Sequence, residues 1–177
     1  KSKWMVEEII NDVARSSDLQ FAILRYFNAA GADPKGRLRE KHEPESHLIP
    51  LILQAANKQR EGIKIFGRDY ATPDGTCLRD YVHVTDLCVA HVLALEALLK
   101  GRKSLVANLG TGKAYSVLEV IQAAEKVTGK KIKVTDAPRR AGDPAILLAD
   151  ASFAKRELNW EPEYTEIEQI IRHAFNS

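Results

Sequence analysis

Two arginine motifs are the strongest candidates for binding chemistry in this sequence. Arg79 opens the segment Arg-Asp-Tyr after a turn-rich loop, and Arg140 lies in the segment Arg-Arg-Ala-Gly-Asp that ends at Asp143. An arginine can donate two parallel hydrogen bonds to a diphosphate, and its charge does not titrate. Each motif also has a structural interpretation, because Asp80 could fix Arg79 and Asp143 could pair with an arginine beside it. The residues alone leave both interpretations open.

Two further polar or aromatic side chains stand at the ends of predicted strands. Phe66 closes a short alternating strand before a glycine, where a ring can stack on a nucleobase, although a core position is the simpler interpretation. Asn28 directly follows a buried strand, and ligands gather at the carboxyl ends of parallel strands. Its alternative role is to cap the next loop. Two arginines, an aromatic ring and an amide are together what a nucleoside-diphosphate site requires.

Other kinds of site have weaker signals. The five histidines, at positions 42, 47, 83, 91 and 173, are scattered, so the sequence predicts no metal site. Cys77 and Cys88 are typical of reduced thiols in a cytoplasmic protein. The segment Gly110-Thr-Gly-Lys lacks the third glycine of a dinucleotide-binding turn, and an ordinary turn is the expectation there.

Short strands alternate with helices along the chain, which indicates the α/β class. A capping box at Ser116-Val-Leu-Glu119 begins one helix, and Gly129 ends it. Residues 28–46 are predicted to form a long loop. The other predicted helices span residues 3–16, 47–59, 86–99, 151–158 and 165–175, and the predicted strands span 21–27, 63–66, 78–84, 105–109 and 132–135. These strands are too few for a complete doubly wound sheet.

Composition narrows the classes of partner. The 177 residues suffice for one domain with a core, and 26 basic against 24 acidic side chains give a net charge of +2. This balance excludes the strongly basic surfaces typical of nucleic-acid and membrane-surface proteins. The longest apolar stretch, residues 88–99, is too short and too polar to cross a bilayer. An anion site must therefore be built locally from a few arginines or lysines.

Three segments make the chain resemble a known family. They are residues 24–32 (LRYFNAAGA), 65–84 (IFGRDYATPDGTCLRDYVHV) and 137–143 (APRRAGD). With them the chain resembles the UDP-glucose 4-epimerases of the extended short-chain dehydrogenase/reductase superfamily, over essentially its whole length. The middle segment is longer and more irregular than a chance match would be.

The resemblance implies a fold in two parts. One part is the C-terminal portion of a Rossmann-type NAD-binding fold, and the other is the smaller mixed α/β substrate-binding domain. Residues 1–28 would be the final helix and strand elements of the NAD-binding domain, and 29–177 mainly the UDP-sugar domain. Within the latter, residues 78–109 would pack back on the NAD-binding domain. Lys3 matches the lysine of a Tyr-x-x-x-Lys motif, so the chain is expected to be a piece of a longer one.

The implied activity is the interconversion of UDP-glucose and UDP-galactose. In such enzymes bound NAD takes a hydride from C4 of the hexose while the motif tyrosine takes a proton, and the keto sugar turns before the hydride returns. The tyrosine and the glycine-rich turn are absent from this sequence. The isolated chain is therefore predicted to be inactive. A homodimer is the expected assembly.

The resemblance also implies roles for individual residues. Lys3 would be catalytic and would bind the cofactor, and Phe27 would lie near that cofactor. His47 stands where many relatives have asparagine. Leu147 would lie beside the sugar, and the hypothesis is that it leaves room for an N-acetyl group. The implied substrate contacts are Asn28, His47, Leu48, Lys64, Ile65, Phe66, Arg79, Tyr81, Arg140, Asp143 and Leu147.

Two alternative functions stay open at this point. One is a related sugar-nucleotide enzyme, such as a dehydratase or decarboxylase. The other is a non-catalytic remnant that binds a nucleotide sugar or a protein partner. A partial Rossmann fold should also expose the apolar surface against which the missing sheet would pack, so self-association through that face is expected.

Overall fold

The computed structural model describes residues 1–177 and contains six helices and eight strands. The helices are α1 (Ser2–Arg15), α2 (Leu48–Ala56), α3 (Val84–Leu99), α4 (Val117–Thr128), α5 (Ser152–Leu158) and α6 (Ile167–Phe175). The strands are β1 (Ala22–Tyr26), β2 (Asn28–Ala30), β3 (Ile63–Phe66), β4 (Leu78–His83), β5 (Leu105–Leu109), β6 (Ala114–Ser116), β7 (Val134–Ala137) and β8 (Ile146–Leu147). None of the helices combines the length and the apolar character that a membrane crossing requires.

Local sequence explains where two of the helices begin. The Ser116 hydroxyl accepts a hydrogen bond from the backbone N–H of Glu119, and the Glu119 carboxylate accepts one from the Ser116 N–H, which completes the predicted capping box of α4. Gly129 ends that helix with a left-handed φ of 67°. At the start of α3, His83 Nδ1 accepts a hydrogen bond from the N–H of Thr85 and caps the helix.

Most strand pairs are parallel. β1 pairs with β5 and β3 pairs with β7, while β4 lies in a sheet between β2 and β6 and also pairs with β8. Asn28 lies opposite Tyr81 in the β2–β4 pair, and Arg79 lies opposite Leu147 in the β4–β8 pair. This sheet therefore places Asn28, the first residue of β2, beside the part of β4 that carries Arg79.

Strand β4 separates two hydrophobic cores. Tyr81 belongs to the larger core, which is built mainly from α2, β3, α4 and α6, and Val82 belongs to the smaller core with α3, β5 and α5. Trp160 lies in the smaller core and donates its indole N–H to the Asp86 carbonyl at 2.9 Å. The Asp86 carboxylate accepts two further backbone N–H groups at 3.0 Å, which ties the segment before α6 to α3.

Helix α1 has no buried residue. Its apolar side chains are largely exposed, and an ion pair from Glu7 to Arg25 joins the helix to β1, with Arg25 Nε 2.8 Å from Glu7 Oε1. The exposed apolar side chains of α1 are Trp4, Met5, Val6, Ile9 and Val13. Met5, Ile9 and Val13 recur every four residues and therefore share one face of the helix, the apolar face of α1.

Some elements differ from the sequence-based expectations. Three short strands, β2, β6 and β8, were expected to be loop or turn, because two or three residues carry too little periodicity to be recognised. Strand β7 begins two residues later than the predicted strand at 132–135. The domain boundary at residue 28 and the packing of residues 78–109 on the NAD-binding part both stay predictions. Within the structure, β5 pairs with β1.

Candidate functional site

A cavity of about 1100 Å³ is lined by the end of β1, by β2 and β3, by part of β4 and by the loop before α2. Seven basic side chains but only three acidic ones line it, in a chain whose overall charges nearly balance. The basic residues are Lys3, Arg37, Arg39, Arg60, Lys64, Arg79 and Arg140, and the acidic residues are Asp33, Glu40 and Asp143. The cavity should therefore attract anions. It does so through a few neighbouring arginines and lysines, as expected for a chain with a balanced overall charge.

Arg79 is held rigidly in the cavity wall. Its Nη2 lies 2.5 Å from Asp143 Oδ1, and its Nη1 donates to the carbonyls of Leu78 and Pro144 at 2.8 and 2.9 Å. The side chain is only 11% exposed. A guanidinium fixed by three acceptors presents its remaining N–H groups in a defined direction, as a diphosphate contact needs.

Arg140 lies over the ring of Phe66. The guanidinium carbon is 3.9 Å from the ring centroid, which is a close cation–π contact. Phe66 is the last residue of β3, and the alternation of that strand buries Ile63 and Ile65 while Lys64 and Phe66 face the other way. The cavity wall thus combines a flat aromatic surface with a positive charge next to it.

Asp80 has a different role from the one expected for it. Its buried carboxylate accepts hydrogen bonds from the N–H groups of Thr111 and Gly112 at 2.9 and 3.0 Å, and from the Thr111 hydroxyl at 2.8 Å. The expectation that Asp80 would fix Arg79 is wrong, because successive residues of β4 point to opposite faces and Asp143 takes that place. The Asp80 carbonyl instead accepts the side-chain amide of Asn28 at 2.9 Å, which orients the Asn28 side chain at the cavity.

Comparison with known proteins agrees with this geometry. Residues 1–110 match the family model described as "NAD dependent epimerase/dehydratase family". This chain belongs to that family. It is 51% identical over 176 residues to the UDP-glucose 4-epimerase of Halalkalibacterium halodurans, and the match covers 99% of the chain and 53% of that protein.

Solved structures give the same result for the fold. A crystal structure of a UDP-glucose 4-epimerase matches 98% of the chain with a TM-score of 0.95 and 50% identity, and the match covers 53% of that protein. The UDP-glucose 4-epimerase from Bifidobacterium longum, solved in complex with NAD+ and UDP, matches 99% of the chain with a TM-score of 0.92 and 40% identity, and 52% of that protein is covered. The predicted class, part of a Rossmann-type fold with a mixed α/β domain, is confirmed. The chain spans about half the length of the relatives it matches.

The structure brings most of the predicted site residues of this epimerase-family chain together. Of the thirteen, all but Leu147 line the one cavity. Leu147 lies outside the cavity lining, on the two-residue strand β8 opposite Arg79, with its side chain 43% exposed. Ile65 and Tyr81 line the cavity but bury their side chains in the larger core, which makes them part of the wall. The roles of all thirteen residues remain predictions.

A nicotinamide dinucleotide, the cofactor of this family, fits the chain at one edge only. Lys3 and Phe27 line the cavity, and Lys3 Nζ lies 6.0 Å from the centroid of the Tyr26 ring. The glycine-containing turn after β5 cannot hold the diphosphate, because its N–H groups already bind the Asp80 carboxylate. As expected from sequence, that segment is an ordinary turn. Lys3 and Phe27 are therefore the residues of this chain that can contact a dinucleotide.

Several cavity residues have no clear signal in the sequence. Arg60 donates its Nε–H to the Gly62 carbonyl just before β3, and Cys77 and Cys88 bring two thiols to the wall. Burial raises the pKa of the Cys77 thiol, so this group stays protonated and acts as a small apolar side chain. A basic residue just before a predicted strand could have identified Arg60, whereas nothing local separates Cys88 from any other exposed helical residue.

Proposed function

We propose that this chain forms the nucleotide-sugar-binding side of a UDP-glucose 4-epimerase, which interconverts UDP-glucose and UDP-galactose with NAD. The observation that carries the proposal is the convergence of Arg79, Arg140 and Phe66 on one cavity. These groups come from three separate segments, which the pairing of β3 with β7 and the ion pair of Arg79 with Asp143 bring together.

Each group matches a part of uridine diphosphate. Arg79 and Arg140 supply charge and N–H donors for the two phosphates, and the Phe66 ring supplies a face on which uracil can stack. Asp143 binds Arg79 through Oδ1, which leaves Oδ2 to accept a hydrogen bond from a ribose hydroxyl. Asn28, oriented by the Asp80 carbonyl, would reach the sugar side of the cavity.

Epimerisation at C4 also needs a hydride acceptor, which NAD supplies in this family and which no protein side chain can replace. Lys3 and Phe27 are the residues of this chain that we place at the nicotinamide edge of the cavity. Since the chain provides no turn for the dinucleotide phosphates, we expect the 177-residue polypeptide to bind UDP without turning over UDP-galactose.

Calorimetric titration of the purified chain with UDP, and with ADP as a control for the base, tests the binding half of this proposal. Saturable 1:1 binding of UDP that exceeds binding of ADP is expected. A chain that fails to bind UDP would not be the nucleotide-sugar side of an epimerase. Turnover of UDP-galactose by the purified chain would contradict its predicted inactivity.

A chimeric enzyme tests the reaction itself. The chain replaces the corresponding half of the H. halodurans epimerase, with which it shares 51% identity, and the products from UDP-galactose are analysed by NMR. UDP-glucose as the product supports the epimerase. Loss of water or of carbon dioxide from a suitable substrate would instead support a dehydratase or decarboxylase. The unmodified H. halodurans enzyme is the positive control.

A further inference from the structure

The loop before α2 gathers four side chains of the kinds that bind metal ions. Glu40, His42, Glu45 and His47 each offer one nitrogen or oxygen atom, and these four atoms all lie within 4.8 Å of one another. The four residues fall within eight positions, in the spacing Glu-x-His-x-x-Glu-x-His. No other group of His, Cys, Asp and Glu in the molecule comes together in this way.

The separations suit a small divalent ion. His47 Nδ1 lies 2.9 Å from Glu40 Oε1 and 3.0 Å from Glu45 Oε1, and His42 Nδ1 lies 3.9 Å from the same Glu45 oxygen. Ligands bound tetrahedrally at the usual zinc distances of about 2.0–2.1 Å are roughly 3.3 Å apart. The observed values lie on both sides of that separation, so an ion requires only small side-chain movements.

The ligand atoms are also oriented in advance. The rings of His42 and His47 are stacked, with centroids 5.4 Å apart and planes 23° apart, and both turn Nδ1 towards Glu45. The Glu45 side chain is only 7% exposed, and its Oε1 accepts the N–H groups of Ser46 and His47 at 2.7 Å each. Such supporting hydrogen bonds to a ligating carboxylate are typical of metal sites.

The charges of the four side chains also favour a bound cation. Two carboxylates converge on His47 Nδ1, and this nitrogen carries at most one proton to share between them. A divalent ion would neutralise both carboxylates while each imidazole donates a lone pair, and imidazole with carboxylate is a donor set that zinc accepts readily.

We propose that Glu40, His42, Glu45 and His47 form a binding site for one divalent transition-metal ion of the zinc class. The five histidines are spread along the whole chain, but two of them belong to one short loop together with both glutamates. With four protein ligands the site is structural, since no open position is left for a reacting molecule. His47 and Glu40 also line the cavity, so a bound ion would fix the loop at its mouth and the start of α2. Metal binding does not depend on the proposed epimerase activity.

Titration of the tag-free, chelator-treated chain with Co²⁺, followed by Zn²⁺ competition, tests the site. One Co²⁺ per chain with the visible absorption of four-coordinate cobalt is expected, and Zn²⁺ should displace it. His42→Ala and Glu40→Gln change exposed side chains and should leave the fold intact. Each should weaken binding at least about tenfold, since loss of even an outer-shell partner costs 10–100-fold. His91→Ala, which removes an exposed histidine on α3, is the matched control and should have no effect.

Trypsin provides a second measurement, because Lys35, Arg37, Arg39 and Lys41 are exposed cleavage sites in the same loop. Zn²⁺ should slow cleavage there in the parent chain and in His91→Ala, but not in His42→Ala. The proposal is overturned if the parent chain binds no Co²⁺, or if His42→Ala and Glu40→Gln bind it as tightly as the parent. Loss of binding in His91→Ala alone would likewise overturn it, by placing the ion elsewhere.

Discussion

The guanidinium carbon of Arg140 lies over the Phe66 ring, 3.9 Å from its centroid. Its neighbour Arg139 makes the same kind of contact 4.1 Å from the Tyr70 ring and pairs with Asp69, outside the cavity. The two adjacent arginines thus avoid their mutual repulsion by pointing in different directions. One of them is engaged by a carboxylate, and the other brings its charge to the cavity.

This pair of arginines provides a matched test of the nucleotide site. Arg140→Ala removes a cavity charge and should weaken UDP binding about tenfold, because a partly desolvated charge contact contributes on the order of 1–2 kcal/mol. Arg139→Ala removes the same kind of side chain beside the cavity and should leave UDP affinity unchanged. Calorimetric titration of both variants measures the difference. Equal UDP affinities in the two variants would show that Arg140 does not contribute to UDP binding.

The rigidity of Arg79 leads to a second prediction. Arg79→Lys keeps the positive charge but loses the planar fork that bonds Asp143 and two carbonyls. We expect at least tenfold weaker UDP binding, since hydrogen bonds to charged groups contribute about 1.5–3 kcal/mol. Arg102→Lys is the control, because Arg102 makes a similar ion pair with Glu157 and neither residue lines the cavity. UDP affinity that is the same for both lysine variants would contradict a diphosphate contact at Arg79.

The sequence predicted the capping box of α4 and the bounds of strand β3 correctly, because both depend on residues within one turn or one strand. The sequence did not predict which carboxylate would form the ion pair with Arg79. Asp80 is adjacent in sequence but points to the opposite face of β4, whereas Asp143 arrives from a distant segment. Pairing between distant segments depends on strand register, which a single sequence does not show. The convergence of the cavity residues therefore followed from the resemblance, and the metal-type cluster was missed altogether.

The buried Asp80 carboxylate should be important for stability. It accepts two N–H groups and a hydroxyl from the turn after β5, and a longer bond from the Ala149 N–H at 3.3 Å. Asp80→Asn places an NH2 group or a weaker acceptor before these donors, and we expect a loss of about 3 kcal/mol in the free energy of unfolding. Urea unfolding measures it. Asp69→Asn, at an exposed ion pair, should change stability by less than about 1 kcal/mol.

Stability should also fall at mildly acidic pH because of His83. Burial and the neighbouring His173 lower the pKa of His83 to about 4, whereas an unfolded histidine titrates near 6.5. Between these two pH values the unfolded chain binds a proton that the folded chain does not. The contribution of neutral His83 to the free energy of unfolding is therefore fully present above pH 6.5 and decreases as the pH falls towards 4. This lowering of the His83 pKa corresponds to a loss of about 3 kcal/mol in the free energy of unfolding when the pH falls below 4. Urea unfolding at several pH values should show this slope.

His83→Asn separates this effect from general acid sensitivity. Asparagine can still accept the Thr85 N–H at the start of α3, but it does not titrate in this range. The variant should lose most of the pH dependence between 6.5 and 4, even if it is less stable overall. His91→Gln, at an exposed histidine, should retain the parent slope. An unchanged slope in His83→Asn would show that other groups cause the effect.

The apolar face of α1 should cause self-association of the isolated chain. Met5 and Ile9 lie one turn apart and are 57% and 60% exposed on a helix that buries no residue. Contiguous apolar surface of this kind is rarely left open to water. A second copy of the chain offers the same face, so a symmetric pairing through α1 can cover it. Light scattering should show a dimer or larger species that Ile9→Lys returns towards the monomer mass. Gln169→Lys adds the same charge on α6 and should not alter the assembly, and a monodisperse parent monomer would contradict the prediction.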